Sequence, residues 1–292
     1  MFDIEWPAGS VSTAQPASAV PAGVAPAATA AVVETLVTAI TFAPRAPRST
    51  ACQAAATNRL AAAMVPSLVL AVTFAINWVE TRLAVEWTPA ISSQAMSAAN
   101  TMRWLERYIE FQFLDLSLLS PGAWTAIVGY SFAYFFLFPA LSLGVAIALA
   151  RRPQPEPYRV FAWAIAIDYA LSLIGFIAFP VPERWSFPES GAMLLSDLWS
   201  SKLIETIRPI SALDNCFPSF HVSMTVITAL VCYVYDVRMR TTVAALGGIV
   251  IVSTFVLGIH WIPDMIAGAA VGTISVMAAR RLCRWWDRLK SP

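Results

Sequence analysis

Charged residues are scarce in this chain. Asp, Glu, Lys and Arg make up 13% of its 292 residues and hydrophobic residues 58%, whereas soluble domains carry about 25% charged residues. That shortage excludes a soluble globular protein and predicts a chain folded within a bilayer. The formal net charge is only +1, and no basic patch with interleaved aromatics occurs, so a nucleic-acid partner is not expected. Cysteine is also sparse. Cys52, Cys216, Cys232 and Cys283 are scattered without metal-ligand spacing, so no metal or other cofactor is expected. Only Cys216 falls on the outer side of the topology derived below, which argues against a disulfide. Asp3 and Glu5 stand where a secretory leader needs positive charge, so none is expected. Histidine occurs twice, as His221 and His260.

What is abundant is apolar sequence in long runs. Spans are expected over 60–79, 123–150, 160–179, 222–235, 243–259 and 265–279. A membrane-spanning helix needs about 20 residues, which 222–235 and 243–259 reach only with their flanks. Pro66 lies inside the first span, where a transmembrane helix tolerates it. Before it, residues 1–58 form an Ala/Pro-rich segment in which Pro7, Pro16, Pro21, Pro26, Pro44 and Pro47 break any long helix. A disordered cytoplasmic tail is expected there, with at most a short interfacial helix over 30–42. Residues 59–122 combine the first span with an amphipathic surface helix. In it Met102, Leu105, Ile109, Phe113 and Leu116 recur at helical spacing, with Arg103, Glu106, Arg107 and Glu110 on the polar side. Residues 123–292 form the remaining membrane domain. The fold expected is all-α, a polytopic bundle of six spans. Nothing in the sequence sets its oligomeric state.

Lys and Arg positions orient such a bundle. The tail, the loops at 151–159 and 236–242 and the C-terminus together carry Arg45, Arg48, Arg59, Arg151, Arg152, Arg159, Arg238, Arg240 and five residues from Arg280 to Lys290, 13 of 19 basic residues. This side is expected to be cytoplasmic, and the protein to be a multi-pass one of the plasma (inner) membrane if the source is bacterial. Both histidines then face the opposite, non-cytoplasmic side. The 38 residues between them read as helix, turn and returning helix, which brings two imidazoles, Ser219 and Asp264 to one surface. Arg184, Lys202 and Arg208 lie on that side against the charge bias, as headgroup anchors or as an anion site. Asp168, in mid-span, is expected to make a structural hydrogen bond inside the bundle. Trp185, Trp199 and Trp261 outside, with Trp285 and Trp286 inside, fit interfacial belts.

Lys202, Arg208, Ser219, His221, His260 and Asp264 form a kit for phosphoryl transfer. Arg and Lys match phosphate oxygens, Ser adds a donor, and two histidines offer a nucleophile and a general acid. A carboxylate four residues after a histidine on one helix lies over the same turn and can fix its tautomer. A zinc site on His221, His260 and Asp264, with Cys216 nearby, is one alternative. A serine hydrolase on Ser219 is another, although no nucleophile-elbow pattern surrounds it.

The order Lys202 to Arg208-Pro209, then Pro218-Ser219-Phe220-His221, then Ser253-Thr254 to His260 and Asp264 resembles the type 2 phosphatidic acid phosphatase superfamily. That family's motifs are KxxxxxxRP, PSGH and SRxxxxxHxxxD. The resemblance implies that His260 is the nucleophile, Asp264 its orienting partner and His221 the general acid, with Lys202, Arg208 and Ser219 on the phosphate. Three departures stand out: the first motif is one residue short, Phe220 replaces Gly, and Thr254 replaces Arg. They resemble the branch of inositolphosphotransferases of the inositol phosphorylceramide synthase type, and sphingomyelin synthases. The activity so implied is transfer of a phospho-headgroup such as inositol phosphate from a phospholipid to a lipid alcohol, at the outer face and without a metal. A phosphatase acting on a lipid phosphate or a polyprenyl (isoprenoid) pyrophosphate is the alternative. A non-catalytic membrane protein or transporter is a third reading, although no paired broken helices appear.

Overall fold

The computed structural model describes residues 59–87, 92–107, 121–198 and 214–290. The tail assigned to 1–58 lies outside the described residues. Among the described residues the elements are helical apart from one isolated bridge between Val181 and Asn215. Helix α1 is Arg59–Trp87, α2 Ser93–Glu106, α3 Pro121–Phe132, α4 Phe138–Ala150, α5 Glu156–Ala178, α6 Phe220–Val234, α7 Arg240–Val256 and α8 Ile262–Lys290. α3 and α4 are continuous through a π-helical turn, Ala133–Leu137. Pro139 accounts for that turn. It has no N–H, and its ring crowds the carbonyl four residues back, so the chain widens and Phe138 donates to Ala133 instead.

Among the described residues, four stretches are long and apolar enough to cross a membrane: α1, the α3–α4 rod, α5 and α8. α6 and α7 are shorter, at 15 and 17 residues, or roughly 22–26 Å at 1.5 Å per residue. α6 is buried along almost its whole length, so its neighbours rather than lipid surround it. α1 presents Leu68, Val72, Ile76 and Val79 outward, as a lipid-facing helix does. α8 runs on well past residue 279. Arg and Leu are good helix formers and nothing there stops the helix.

The core is α5, α6 and α8. Ser223 on α6 donates to the Asp168 carboxylate on α5 at 2.7 Å, and both residues are fully buried; this is the intramembrane hydrogen bond expected from sequence. α8 meets α6 through Gly268 and Gly272. A Cβ on Gly268 would collide with the Ser219 carbonyl oxygen, and one on Gly272 would lie 2.6 Å from that of Ser223. Small residues four apart let helix backbones approach closely. The approach has a consequence for the site, because it lets the Ser219 N–H donate to the Asp264 carbonyl at 3.1 Å. Gly268→Val is therefore expected to destabilise the bundle by about 1–3 kcal/mol through overpacking and to separate these two segments. Gly144→Ala on α4, where a Cβ meets nothing within 4 Å, is expected to be neutral or stabilising by up to about 1 kcal/mol. Thermal unfolding in detergent compares them, and equal effects would contradict this packing.

The far end of the bundle is tied by two arginines. Arg159 makes a two-pronged pair with Asp287 at 2.9 and 2.7 Å, and Arg152 donates to the Tyr235 carbonyl at 2.8 Å. His221, at the start of α6, and His260, after the end of α7, lie at the opposite end.

Two expectations need correction. The surface helix was expected to turn Met102 and Leu105 toward lipid and Glu106 toward water. Its buried residues are Ala95, Ala98, Ala99, Met102 and Glu106, while Leu105 is exposed. A stripe of small residues lets α2 lie on protein, packing beside Val181, Phe187 and Trp261. Trp261 is not a belt residue either: it is 1% exposed, and its indole N–H donates to the Pro182 carbonyl at 2.9 Å.

Candidate active site

His260 sits on a turn fixed from both sides. α7 ends where Gly258 takes φ 76°, the left-handed conformation that glycine supplies without a Cβ penalty. The N–H groups of Ile259 and His260 both donate to the Thr254 carbonyl, at 3.2 and 3.1 Å. From outside, Leu195, Trp185 and Arg184 donate their backbone N–H groups to the carbonyls of Leu257, Gly258 and Ile259. Each carbonyl of the turn is thereby held by the loop between α5 and α6.

α8 begins directly after this turn, with Pro263 in a first turn that needs no N–H there. Asp264 lies in that same turn and is fully buried. One of its oxygens, Oδ2, accepts from the Trp261 N–H at 3.0 Å and lies 3.3 Å from His260 Nδ1. A helix N-terminus favours such a negative charge. The carboxylate therefore caps the helix and orients the imidazole. His260 is 4% exposed, and its Nε2 has no partner among the described residues.

His221 belongs to the first turn of α6. Ser219 is the N-cap of that helix, its Oγ accepting from the Val222 N–H at 3.3 Å. The His221 ring stacks on Tyr134 at 4.6 Å between centroids and tilts against Phe138 at 4.8 Å. Tyr134 lies within the π turn and Phe138 directly follows it, so the widened turn places both rings against His221. The two imidazole centroids are 5.8 Å apart.

Glu106 reaches in from α2. Its Oε1 accepts from the Ile262 N–H at 2.6 Å, and its Oε2 lies 3.4 Å from Arg184 Nε. The Arg184 guanidinium sits over the Phe255 ring at 4.8 Å and the Trp261 ring at 5.9 Å. Burial raises the Glu106 pKa, while the Ile262 N–H and Arg184 oppose the rise. Glu106 thus joins the surface helix to the start of α8, two residues before Asp264. Glu106→Ala is expected to cost about 1–3 kcal/mol, because it leaves a buried N–H unmet, and to lower kcat. Glu106→Gln keeps an acceptor for Ile262 and should retain most stability. Unfolding in detergent and initial rates check both, and an alanine variant as stable and active as the parent would show the clamp to be idle.

Both imidazoles line one end of a cavity of about 870 Å³. Glu183, Ser196, Asn215 and Cys216 share that end, and Ala150 and Tyr158 lie at the other. Tyr158 and His221 are at opposite ends of the bundle, so the cavity runs along the helices between α1, α4 and α5. Its middle is apolar, with Leu70, Phe74, Phe138 and Leu143 among its walls.

Of the residues singled out from sequence, the structure brings His221, His260, Asp264 and Ser219 together. Lys202 and Arg208 lie outside the described residues. Thr254 donates its hydroxyl to the Ile251 carbonyl at 2.8 Å, within its own helix, and does not line the cavity. Cys216, His260 and Asp264 offer ligand atoms within 4.8 Å of one another. Asp264 Oδ2 and His260 Nδ1 already face each other, however, and Oδ2 also receives the Trp261 N–H, which is hydrogen-bonding geometry. Sequence reading missed Tyr134, Phe138 and the inward role of Glu106. The spacing of Ala95, Ala98, Ala99 and Met102, extended one turn, would have pointed to Glu106.

No curated protein and no solved structure matches the chain. The family model described as the PAP2 superfamily matches residues 105–278, a range that holds both histidines, Asp264 and most of the cavity wall. With that match over more than half its length, the chain belongs to the PAP2 superfamily.

Proposed function

We propose that this membrane protein, whose superfamily points to phosphatase or phosphotransferase chemistry on membrane lipids, transfers a phospho-headgroup through a covalent adduct on His260. One observation carries the reading. His260 lines the cavity that His221 also lines, its Nε2 has no hydrogen-bond partner among the described residues, and its Nδ1 lies 3.3 Å from a buried carboxylate. Asp264 holds the proton on Nδ1, which leaves the Nε2 lone pair for phosphorus. As the Nε2–P bond forms, the bond from phosphorus to the lipid oxygen breaks, and His221 protonates that oxygen. An incoming alcohol or water then gives its proton to His221 and attacks phosphorus, and the Nε2–P bond breaks. Lys202, Arg208 and Ser219 hold the phosphate oxygens. Ser219 Oγ accepts from Val222, so its own hydroxyl proton is available for the phosphate, beside a helix N-terminus that favours anions.

The donor in this reading is a singly charged diester such as phosphatidylinositol, and the acceptor a lipid alcohol. Thr254 supports the choice of donor: where the family motif has Arg, this chain supplies neither a cation nor a free hydroxyl. The test is incubation of the purified protein with labelled phosphatidylinositol, with and without ceramide or diacylglycerol, followed by identification of the products. Transfer of inositol phosphate to the added alcohol is expected. Faster release of phosphate from phosphatidate or a polyprenyl pyrophosphate than use of any diester would overturn it in favour of a phosphatase.

The site faces the non-cytoplasmic side in this proposal, since the Arg-rich end lies opposite. Pro155→Cys and Met239→Cys are expected to resist an impermeant thiol reagent in intact cells, and Ser190→Cys to react. Cys216, Cys232 and Cys283 are buried and give a low background. Labelling at 239 without labelling at 190 would invert the topology.

A further inference from the structure

One wall of the cavity comes from outside the superfamily match. The match begins at residue 105, whereas α1 turns Ser67, Leu70, Phe74, Asn77 and Thr81 to the cavity. These recur at intervals of three and four, so they form one face of the helix. Phe138, Ser142, Ala146 and Ala150 of α4 line the cavity at intervals of four. Two helix faces thus run along its length. The cavity is open at the side between them, because its wall residues Phe74, Leu143 and Ile147 are 47%, 63% and 41% exposed. Both helices belong to stretches of membrane-crossing length, so the opening faces hydrocarbon. The slot has a reacting end and a closed end. Tyr134, stacked on His221, marks the first. At the second, Ser67 and Tyr158 hydrogen-bond to each other at 2.9 Å and join α1 to α5, while Arg151 and Arg152 follow Ala150 directly. The rod rises about 24 Å from Tyr134 to Ala150 at 1.5 Å per residue, past the middle of a hydrocarbon core about 30 Å thick. An extended chain advances about 1.2 Å per bond, so the slot accommodates a glycerol ester with a chain of about 15 carbons.

We infer that this slot takes one hydrocarbon chain of the reacting lipid, admitted sideways from the bilayer between α1 and α4 and laid along them toward Tyr158. This rests on His260 and His221 marking the reacting end, and it holds for any headgroup. The side opening lets a second chain stay in the bilayer. The polarity of α1 follows the same course. Asn77 and Thr81 lie toward the reacting end, where the chain gives way to ester and headgroup, and Leu70 and Phe74 lie where only hydrocarbon passes. Lipid tails are as apolar as these walls, so entering the slot adds little affinity by itself. Its effect is positional: a chain held along the slot fixes where its phosphorus stands against His260. α1 is thereby a positioning element for the substrate, supplied by residues that the superfamily match does not include.

The test uses the full chain in phosphatidylcholine vesicles. Phosphatidylinositol and phosphatidate, each with a diazirine at the end of one palmitoyl chain, are photolysed with it and the labelled residues mapped. Label is expected at Ser67, Ala150 or Tyr158. A diazirine beside the ester should instead label Asn77, Thr81 or Tyr134. Label from both positions confined to the outer face of α1, at Leu68, Val72, Ile76 and Val79, would overturn the slot. Ala146→Trp blocks it about 18 Å from Tyr134, beyond the reach of an octanoyl chain. That variant is expected to lower kcat/KM at least about tenfold for a dipalmitoyl lipid, the scale of overpacking, and to leave a dioctanoyl lipid within about twofold. Ala148→Trp, exposed on the same helix away from the wall, should change neither. Equal losses for both chain lengths in Ala146→Trp, or no loss, would also overturn the slot. The headgroup that turns over reports on the transferase reading by itself. Labelling at Tyr158 with turnover of phosphatidate alone would keep the slot and remove that reading.

Discussion

His260→Ala is expected to abolish turnover, with a loss on the order of 10⁶-fold, the scale seen when a catalytic nucleophile is removed. The covalent adduct should vanish with it. The expectation follows from His260 lining the cavity with its buried Nε2 unpartnered among the described residues. His221→Ala should cost less, about 10²–10⁴-fold, as loss of a general acid does. Its penalty should shrink when the leaving group is already acidic, such as a nitrophenol, because that oxygen leaves without a proton. A His221 variant with the same penalty for acidic and basic leaving groups would assign it a positioning role. Rate measurements with a series of leaving groups make the distinction.

Asp264→Asn is expected to lower kcat by about 10⁴-fold with little change in fold, by analogy with the orienting aspartate of a serine protease triad. The substitution is nearly isosteric, and the new side chain still has an oxygen for the Trp261 N–H. The amide nitrogen, however, can then be turned toward His260 Nδ1. That drives the imidazole proton onto Nε2 and removes the lone pair the reaction needs. Asp168→Asn is the control. Asp168 is equally buried and its contact is the Ser223 hydroxyl, for which an amide oxygen serves as well, so kcat should stay close to that of the parent. Comparable losses in both variants would trace the effect to packing rather than to the tautomer.

The sequence made the helices, and the meeting of the two histidines, legible for a simple reason. Apolar runs of membrane length leave few alternatives, and an out-and-back pair returns its ends to one surface. The pairing of His260 with Asp264 was legible from their four-residue spacing, although His260 lies on the turn before α8 rather than on the helix itself. Glu106 was not, because on a surface helix a carboxylate reads as solvent-facing. Only the fold reveals that the opposite, alanine-rich side carries it to Ile262 and Arg184. Trp261 was misread for a related reason: an aromatic beside a span resembles an interfacial anchor until its indole is seen to bond Pro182. Tyr134 and Phe138 depend on a π turn that hydropathy does not register. Arg184 was noticed as a cation on the unexpected side, yet its placement between Glu106 and two aromatic rings comes from tertiary structure.

The central claim is a covalent bond from phosphorus to His260, and chemical trapping tests it most directly. The protein would be mixed with phosphatidylinositol labelled at phosphorus, quenched within a turnover, digested and mapped. The account predicts label on the peptide containing His260, stable to base and labile to acid as a phosphoramidate is. Label should be absent from His260→Ala, and a chelator should not change its yield. Label on Ser219, or turnover that a chelator abolishes and zinc restores through Cys216, His260 and Asp264, would contradict it.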